Sequence, residues 1–284
     1  MTKNNLRKAL NIAGSVIAVL SVLFVVHRIM AYWAQIPEDT FTLKLLSLIL
    51  ILAGIYGAAN IILASAWRIL MVGLEQSITS RIATRIYGLT QLAKYVPGNI
   101  FQFAGRQFLA MSHGFSGKAI AKSTFLELLL LVLTGAAFVL WMLPLLYPAF
   151  NIIYGLSLFI IIATLIALGL KWQDKSSLIK AIARYFLFLV ISGTVFLCVL
   201  YSIVDNWTAT PALVLPLIGA YVIAWLAGLI TPGSPAGVGV REFILILLLK
   251  PFFAEVDIVL AVIISRITTV VGDCFFYLYS LSLR

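Results

Sequence analysis

The chain has 284 residues, of which 63% are hydrophobic and only 11% charged, with a mean hydropathy of +1.11. Soluble domains carry about 25% charged residues, so this composition excludes a soluble enzyme and leaves no length for a sizeable soluble domain beside the apolar runs. The net charge of +10 raises nucleic acid as a partner. The basic residues fall in short connections between apolar runs, however, where they report topology and contact with anionic lipid, and no nucleic acid is expected.

In chain order, a basic start (Lys3, Arg7, Lys8) precedes an apolar run from about 10 to 33 that ends in the interfacial pair Tyr32-Trp33. No small-residue cleavage site follows it, so it reads as a retained span rather than a signal peptide. Five more spans are expected at about 43–67, 123–147, 149–170, 185–204 and 258–282, each near the roughly 20 apolar residues a crossing needs. Segment 86–110 contains Lys94-Tyr95-Val96-Pro97-Gly98-Asn99 and is too polar and too broken for a plain span. Segment 211–250 holds two apolar pieces, 212–230 and 243–249, each read as too short for a comfortable crossing. The run of helix breakers from Thr231 to Gly239 separates them. Trp67, Trp141, Trp172 and Trp207 lie near expected span ends and read as interfacial belts.

Lysine and arginine cluster at 3–8, 68–85, 118–122 and 171–184, while the connections at 34–42, 147–150 and 204–210 carry neither. The positive-inside bias therefore puts the clusters and both termini in the cytoplasm. Segment 81–118 then enters and leaves on the cytoplasmic side and segment 205–256 on the outer side. The expected fold is all-α: a single polytopic membrane domain of six transmembrane helices plus two re-entrant helical hairpins pointing toward each other. A Pro/Gly break at membrane depth leaves backbone groups that lipid cannot pair, so it must face protein or a wet cavity.

The two hairpins share a spacing. Pro97 and Pro232 are 135 positions apart, and so are Arg106 and Arg241, and Phe108 and Phe243. The chain divides into half-repeats 1–147 and 148–284, each of two spans, a broken hairpin and a third span. With three spans per half the second is inverted, the arrangement of secondary transporters, whose interrupted segments mark the substrate site. After each Pro-Gly the chain restarts as a half-helix, whose free N–H groups and partial positive charge suit an anion. Gly98, Asn99, Gly233 and Ser234 stand where the ligand would touch, and Arg106 and Arg241 follow as a bidentate pair for phosphate or carboxylate. The competing readings for each arginine are snorkelling to a headgroup and pairing with a nearby acid, which for Arg241 is its neighbour Glu242.

Of the other ionisable residues in or beside expected spans, His27-Arg28 near the outer end of the first reads as interfacial and Arg68 as an inner anchor, while Glu127, Arg266 and Asp273 lie within spans. Arg266 and Asp273 are seven apart, on roughly one helix face, so a structural pair between them, or between Glu127 and an arginine, competes with a role in proton coupling. Cys198 and Cys274 lie in apolar runs without ligand spacing, so no disulfide, metal or other cofactor is expected. No P-loop, GxSxG or HExxH motif is present, and no catalytic residue is assigned.

At these residues the chain resembles the lysylphosphatidylglycerol synthase transmembrane family, the flippase-like domain family. The resemblance rests on Lys94-Tyr95-Val96-Pro97-Gly98 with Arg106, on Pro232-Gly233, on Pro235-Ala236-Gly237-Val238-Gly239-Val240-Arg241-Glu242, and on Arg266 with Gly272. It departs where family members often carry an acid followed by arginine: here Glu127 is followed by Leu128. The resemblance implies lipid translocation at the bacterial cytoplasmic membrane, with a phospholipid or polyprenyl-phosphate-linked sugar as cargo for cell-envelope modification. A membrane lipid with an anionic headgroup is the expected partner, and an envelope glycosyltransferase a further one. The alternative is a membrane enzyme, or accessory subunit, acting on a lipid-linked sugar with Glu127 or Glu242 as general base. A third reading is a scaffold subunit for a glycosyltransferase.

Overall fold

A computed structural model describes residues 30, 42–96, 100–147, 149–173, 175–204, 211–231, 237 and 239–283. Among them the regular structure is entirely helical: α1 (Leu43–Gly73), α2 (Ser80–Gln91), α3 (Phe101–Ser112), α4 (Gly117–Ala136), α5 (Val139–Leu146), α6 (Ile152–Trp172), α7 (Ser176–Ile203), α8 (Pro211–Ile230), α9 (Val240–Leu249) and α10 (Glu255–Ser282). A short 3-10 turn, Leu92–Tyr95, continues α2 toward the first Pro-Gly pair. Local chemistry starts several of these helices. The hydroxyl of Thr42 accepts from the Leu45 amide at 3.2 Å, that of Thr79 from Ile82 at 3.3 Å, and the Asn151 side chain from Ile153 at 2.9 Å. Each satisfies an N–H that the first helical turn leaves unpaired.

Six helical stretches among the described residues are long and apolar enough to cross a membrane: α1, α4 continued by α5, α6, α7, α8 and α10. Five coincide with expected spans. The expected first span, 10–33, lies outside the described residues apart from Met30. The sixth is a correction. Segment 212–230, read from the sequence as too short, forms a helix whose 19 apolar residues Ala212–Ile230 extend about 28 Å at 1.5 Å per residue. That length is close to the hydrocarbon thickness. By contrast α2 and α3 have 12 residues each and α9 has 10, and none of these can cross alone.

The last helix, α10, is the most buried of the six and α6 the least. Packing around α10 is close because glycines face each other. A Cβ built on Gly272 would lie 2.7 Å from the Ala53 carbonyl oxygen, and one on Gly57 would lie 2.8 Å from the Gly272 carbonyl oxygen. Backbone therefore meets backbone where α1 crosses α10, as small residues allow in membrane helices. Such contact brings Asn60, one turn after Gly57, onto Asp273, the residue after Gly272.

Two expected belt residues are core residues instead. Trp67 is buried in α1, with its indole N–H donating to the Ser123 hydroxyl at 3.0 Å. Trp141 is buried against Phe138, Phe159 and Phe186. The apolar stretch runs past each tryptophan: α1 continues to Gly73, and α5 runs on to Leu146. Trp172 is 93% exposed at the end of α6, as a belt residue would be.

Substitution of Gly272 by alanine is expected to lower stability in detergent by about 1–3 kcal/mol through overpacking. Gly54→Ala, whose Cβ meets nothing within 4 Å, should leave the melting temperature unchanged or slightly raised. Thermal unfolding of the two variants side by side measures the difference.

Candidate functional site

A cavity of about 60 Å³ lies where the two broken segments approach α10 and α4; Lys94, Arg106, Glu127, Trp225, Arg241 and Arg266 line it. That space holds a few waters or a small polar group, since one water needs roughly 10–15 Å³ on this measure. Its ionisable residues come from five elements, and three of its four cations are paired with acids.

The first pair is Arg106 of α3 with Glu127 of α4, both 1% exposed. Tyr87 of α2 donates its hydroxyl to the other Glu127 oxygen at 2.7 Å, and its ring lies under the guanidinium with the Arg106 Cζ 3.8 Å from the centroid. Trp67 and Phe103 complete the aromatic surround at 5.4 and 5.7 Å. This is an ion pair with cation–π support, the arrangement in which a planar guanidinium is favoured over an ammonium. Of the two competing readings for Arg106, the pair with a nearby acid is the one observed. The guanidinium Nε is buried and has no hydrogen-bond partner among the described residues.

The second pair is Lys94 with Asp273, at 2.6 Å. Asp273 is fully buried and accepts three further bonds: from the Tyr95 hydroxyl at 2.6 Å, the Asn60 amide at 3.2 Å and the Gln91 amide at 3.3 Å. Gln91 also donates to the Asn60 carbonyl oxygen at 3.0 Å. A buried carboxylate with a cation and three donors has its lone pairs satisfied, which is the condition under which a charge is tolerated in the interior. Lys94 and Tyr95 immediately precede the Pro97-Gly98 break, so Asp273 anchors the first broken segment to α10.

The third pair is Arg266 with Glu242, Nε to Oε1 at 3.0 Å, and Arg266 also donates to the Gly237 carbonyl at 3.0 Å. Arg266 thus anchors the second broken segment, two turns of α10 from the first anchor. Of the two structural pairs weighed against proton coupling, Glu127 with an arginine is formed and Arg266 with Asp273 is not. Seven residues separate them by about 10 Å along the axis, and each turns to a different segment. Glu242 does not pair with Arg241 either. Its second oxygen accepts from the Gly239 amide at 2.6 Å, the half of a capping box in which the third helical residue reaches back to the N-cap. The N-terminus of α9, expected to offer N–H groups to a ligand, is therefore partly occupied by its own carboxylate.

Arg241 is the fourth cation. It has no ion pair among the described residues, its buried Nε has no hydrogen-bond partner, and its guanidinium lies 5.5 Å from the Trp225 ring centroid. Its stem is held between two glycines: a Cβ on Gly228 would lie 2.7 Å from the Arg241 Nε, and one on Gly237 would lie 2.8 Å from it. Gly237 and Gly239 have φ of +73° and +86°, conformations that only glycine adopts without strain. The breakers thus have two tasks, to turn the chain and to let α8 and the break close around Arg241.

Of the residues expected from the sequence, Arg106, Glu127, Arg241 and Arg266 line the cavity, while Glu242 and Asp273 bind cations that do. Gly98, Asn99, Gly233 and Ser234 lie outside the described residues. Sequence reasoning missed Tyr87, Gln91, Asn60 and Trp225 as partners, and treated Lys94 and Tyr95 only as motif. One signal was visible: Asn60 is a lone amide in the middle of a long apolar run, where polar groups require a partner. No cluster of three or more potential metal ligands occurs among the described residues.

Fold and site together define the class, a multi-pass helical membrane protein with an ion-paired cavity in its interior. Compared with known protein families the chain matches none, and no curated protein matches it.

Breaking the first pair by Glu127→Leu is expected to cost about 3–5 kcal/mol, because Arg106 is left buried and uncompensated. The double variant Arg106→Met, Glu127→Leu should recover much of that loss. A double-mutant cycle on unfolding in detergent reads the coupling directly.

Proposed function

We propose that this protein is a lipid flippase or transporter that moves an anionic, phosphate-bearing lipid across the bacterial cytoplasmic membrane for cell-envelope modification. The observation that carries the reading is Arg241, a cation in the cavity that no acid among the described residues neutralises. An uncompensated charge away from bulk water is costly, and a ligand anion removes that cost. The phosphate contacts Arg241 directly, while Arg106, tied to Glu127, contributes its free Nε donor. Gly98, Asn99, Gly233 and Ser234 supply the remaining polar contacts at the two breaks.

In this reading 81–118 and 205–256 are re-entrant hairpins inserted from the cytoplasmic and outer faces, with α8, although long enough to cross, lying tilted as the deep arm of the second hairpin and turning back through α9 without leaving the bilayer, and the halves 1–147 and 148–284 form an inverted repeat with both termini in the cytoplasm. Two observations support it. Each broken segment is anchored to α10 by one ionisable residue, Asp273 or Arg266. The anchors lie about 14 and 16 Å from opposite ends of that helix, counted at 1.5 Å per residue, so both breaks meet it well inside its length. Alternating access then consists of one half rocking against the other around the cavity, with acyl or prenyl tails remaining in lipid. The motif residues that resemble the flippase-like domain family, Pro97-Gly98 with Arg106 and Gly237 to Glu242, point the same way, and an envelope glycosyltransferase is the partner that would consume a translocated lipid-linked sugar.

The enzymatic alternative is less well supported. Glu127 accepts from Arg106 and Tyr87, and Glu242 from Arg266 and the Gly239 amide. Both oxygens of each carboxylate are already engaged, which leaves neither placed to take a proton from a substrate.

Reconstitution into vesicles with a headgroup-labelled anionic phospholipid, read by accessibility of the label to an external quencher, tests the function. Arg241→Gln should reduce transport on the order of tenfold or more, as loss of a charge-assisted contact implies, while the melting temperature stays within a few degrees of wild type. Undiminished transport in that variant would remove the proposed binding role. Cysteine labelling at positions 97 and 232 should show access from opposite faces.

A further inference from the structure

The charge balance of the cavity specifies a class of headgroup, and this rests on the proposal that the cavity receives a lipid headgroup at all. Lys94, Arg106, Arg241 and Arg266 bring four positive charges, and Glu127, Asp273 and Glu242 bring three negative ones. The stretches outside the described residues that interrupt the chain between cavity-lining elements, 97–99, 232–236 and 238, contain only proline, glycine, asparagine, serine, alanine and valine. They add no charge to this sum. The cavity therefore carries one net positive charge among the described residues, and that charge is localised on Arg241.

We propose that the cavity selects headgroups bearing one net negative charge, which is the state of a phosphodiester without a compensating amine. Such a group neutralises Arg241 and leaves all three internal ion pairs intact. A headgroup with two negative charges, a phosphomonoester or a diphosphate, leaves one negative charge uncompensated. It also faces Glu127 in the cavity wall and stands behind Arg266 from Glu242, the carboxylates that hold the neighbouring cations. A zwitterionic headgroup leaves Arg241 uncompensated, because its amine cancels its phosphate within the ligand. The low polarity of the surround, with Trp225, Phe188, Leu131 and Leu229 in the wall, sharpens the discrimination in both directions, since charge imbalance is costlier where water is scarce. Two lipid sources share the selected chemistry: a glycerophospholipid with an uncharged polar headgroup, and a sugar joined to a polyprenyl chain through a single phosphate.

The test is competition at pH 8 and fixed ionic strength, with purified full-length protein in nanodiscs of uncharged lipid and a fluorescent phosphatidylglycerol as probe. At that pH a phosphomonoester is close to doubly ionised. The competitors are phosphatidylglycerol and a glycosyl polyprenyl monophosphate (one charge), phosphatidate and a polyprenyl diphosphate (near two or more), and phosphatidylethanolamine (zwitterionic). The singly charged lipids should displace the probe at least tenfold more effectively than the others, and the ratio between those two identifies the source. Glu242→Gln, which raises the cavity charge by one, should shift preference toward phosphatidate by at least tenfold relative to wild type. Asp273→Asn adds the same charge at the other anchor and should shift it in the same direction, which guards against a folding defect in either variant. Tighter binding of phosphatidate or diphosphate to the wild-type protein overturns the single-charge rule and leaves the lipid-binding reading standing. Displacement by no lipid, with Arg241→Gln binding the probe as wild type does, overturns both.

Discussion

The structure depends on two ionisable side chains of one helix, Asp273 and Arg266 of α10, each fastened to a different broken segment. Neither charge could stand alone in an apolar interior. Asp273 is compensated by Lys94 and bonded by Tyr95, Asn60 and Gln91, and Arg266 by Glu242 and the Gly237 carbonyl. Because the charges need these partners, the irregular backbone at each break has somewhere to attach. The cost of burying ions is thereby turned into a positional constraint, which hydrophobic contact between helices in a bilayer supplies poorly.

The cavity follows from that constraint. With Asp273 and Arg266 committed to the breaks, and Arg106 committed to Glu127 through α3 and α4, the internal acids among the described residues are used up. Arg241 is placed by the close approach of Gly228 and Gly237 at a point where no acid among the described residues reaches it. A single spare cation surrounded by satisfied pairs is a more discriminating site than a cluster of free cations, because added charge of either sign disturbs pairs already formed. Glu242 has a particular place here. It caps its own helix and compensates Arg266 at once, so a ligand that reached for either would have to displace it.

Much of the architecture was legible. Five of the six membrane-crossing stretches were recoverable from hydropathy, as were both breaks and their shared arginine spacing. The reading of 212–230 failed because its boundaries were drawn against an ideal span length, and 19 residues lie within the range that crosses. Trp67 and Trp141 failed for another reason. An aromatic near the end of an apolar run reads as interfacial, yet Trp67 is a wall for the Arg106 guanidinium and Trp141 a core residue of an aromatic cluster.

The site divides along the same line. Which residues are ionisable and intramembrane, that they recur at a common spacing, and that glycines and prolines interrupt the helices beside them, can all be read from the chain linearly, because apolar runs and breakers are local properties. Who neutralises whom cannot. Asp273 pairs with Lys94 rather than with Arg266 seven residues away, and Glu242 pairs with Arg266 rather than with the adjacent Arg241. Those choices were made by how closely α1 and α10 cross at Gly57 and Gly272 and by how α8 folds against the second break, distances that no one-dimensional pattern encodes. Tertiary packing alone decided that the leftover charge is Arg241, because ion pairing depends on ångström separations in space and is indifferent to order along the chain.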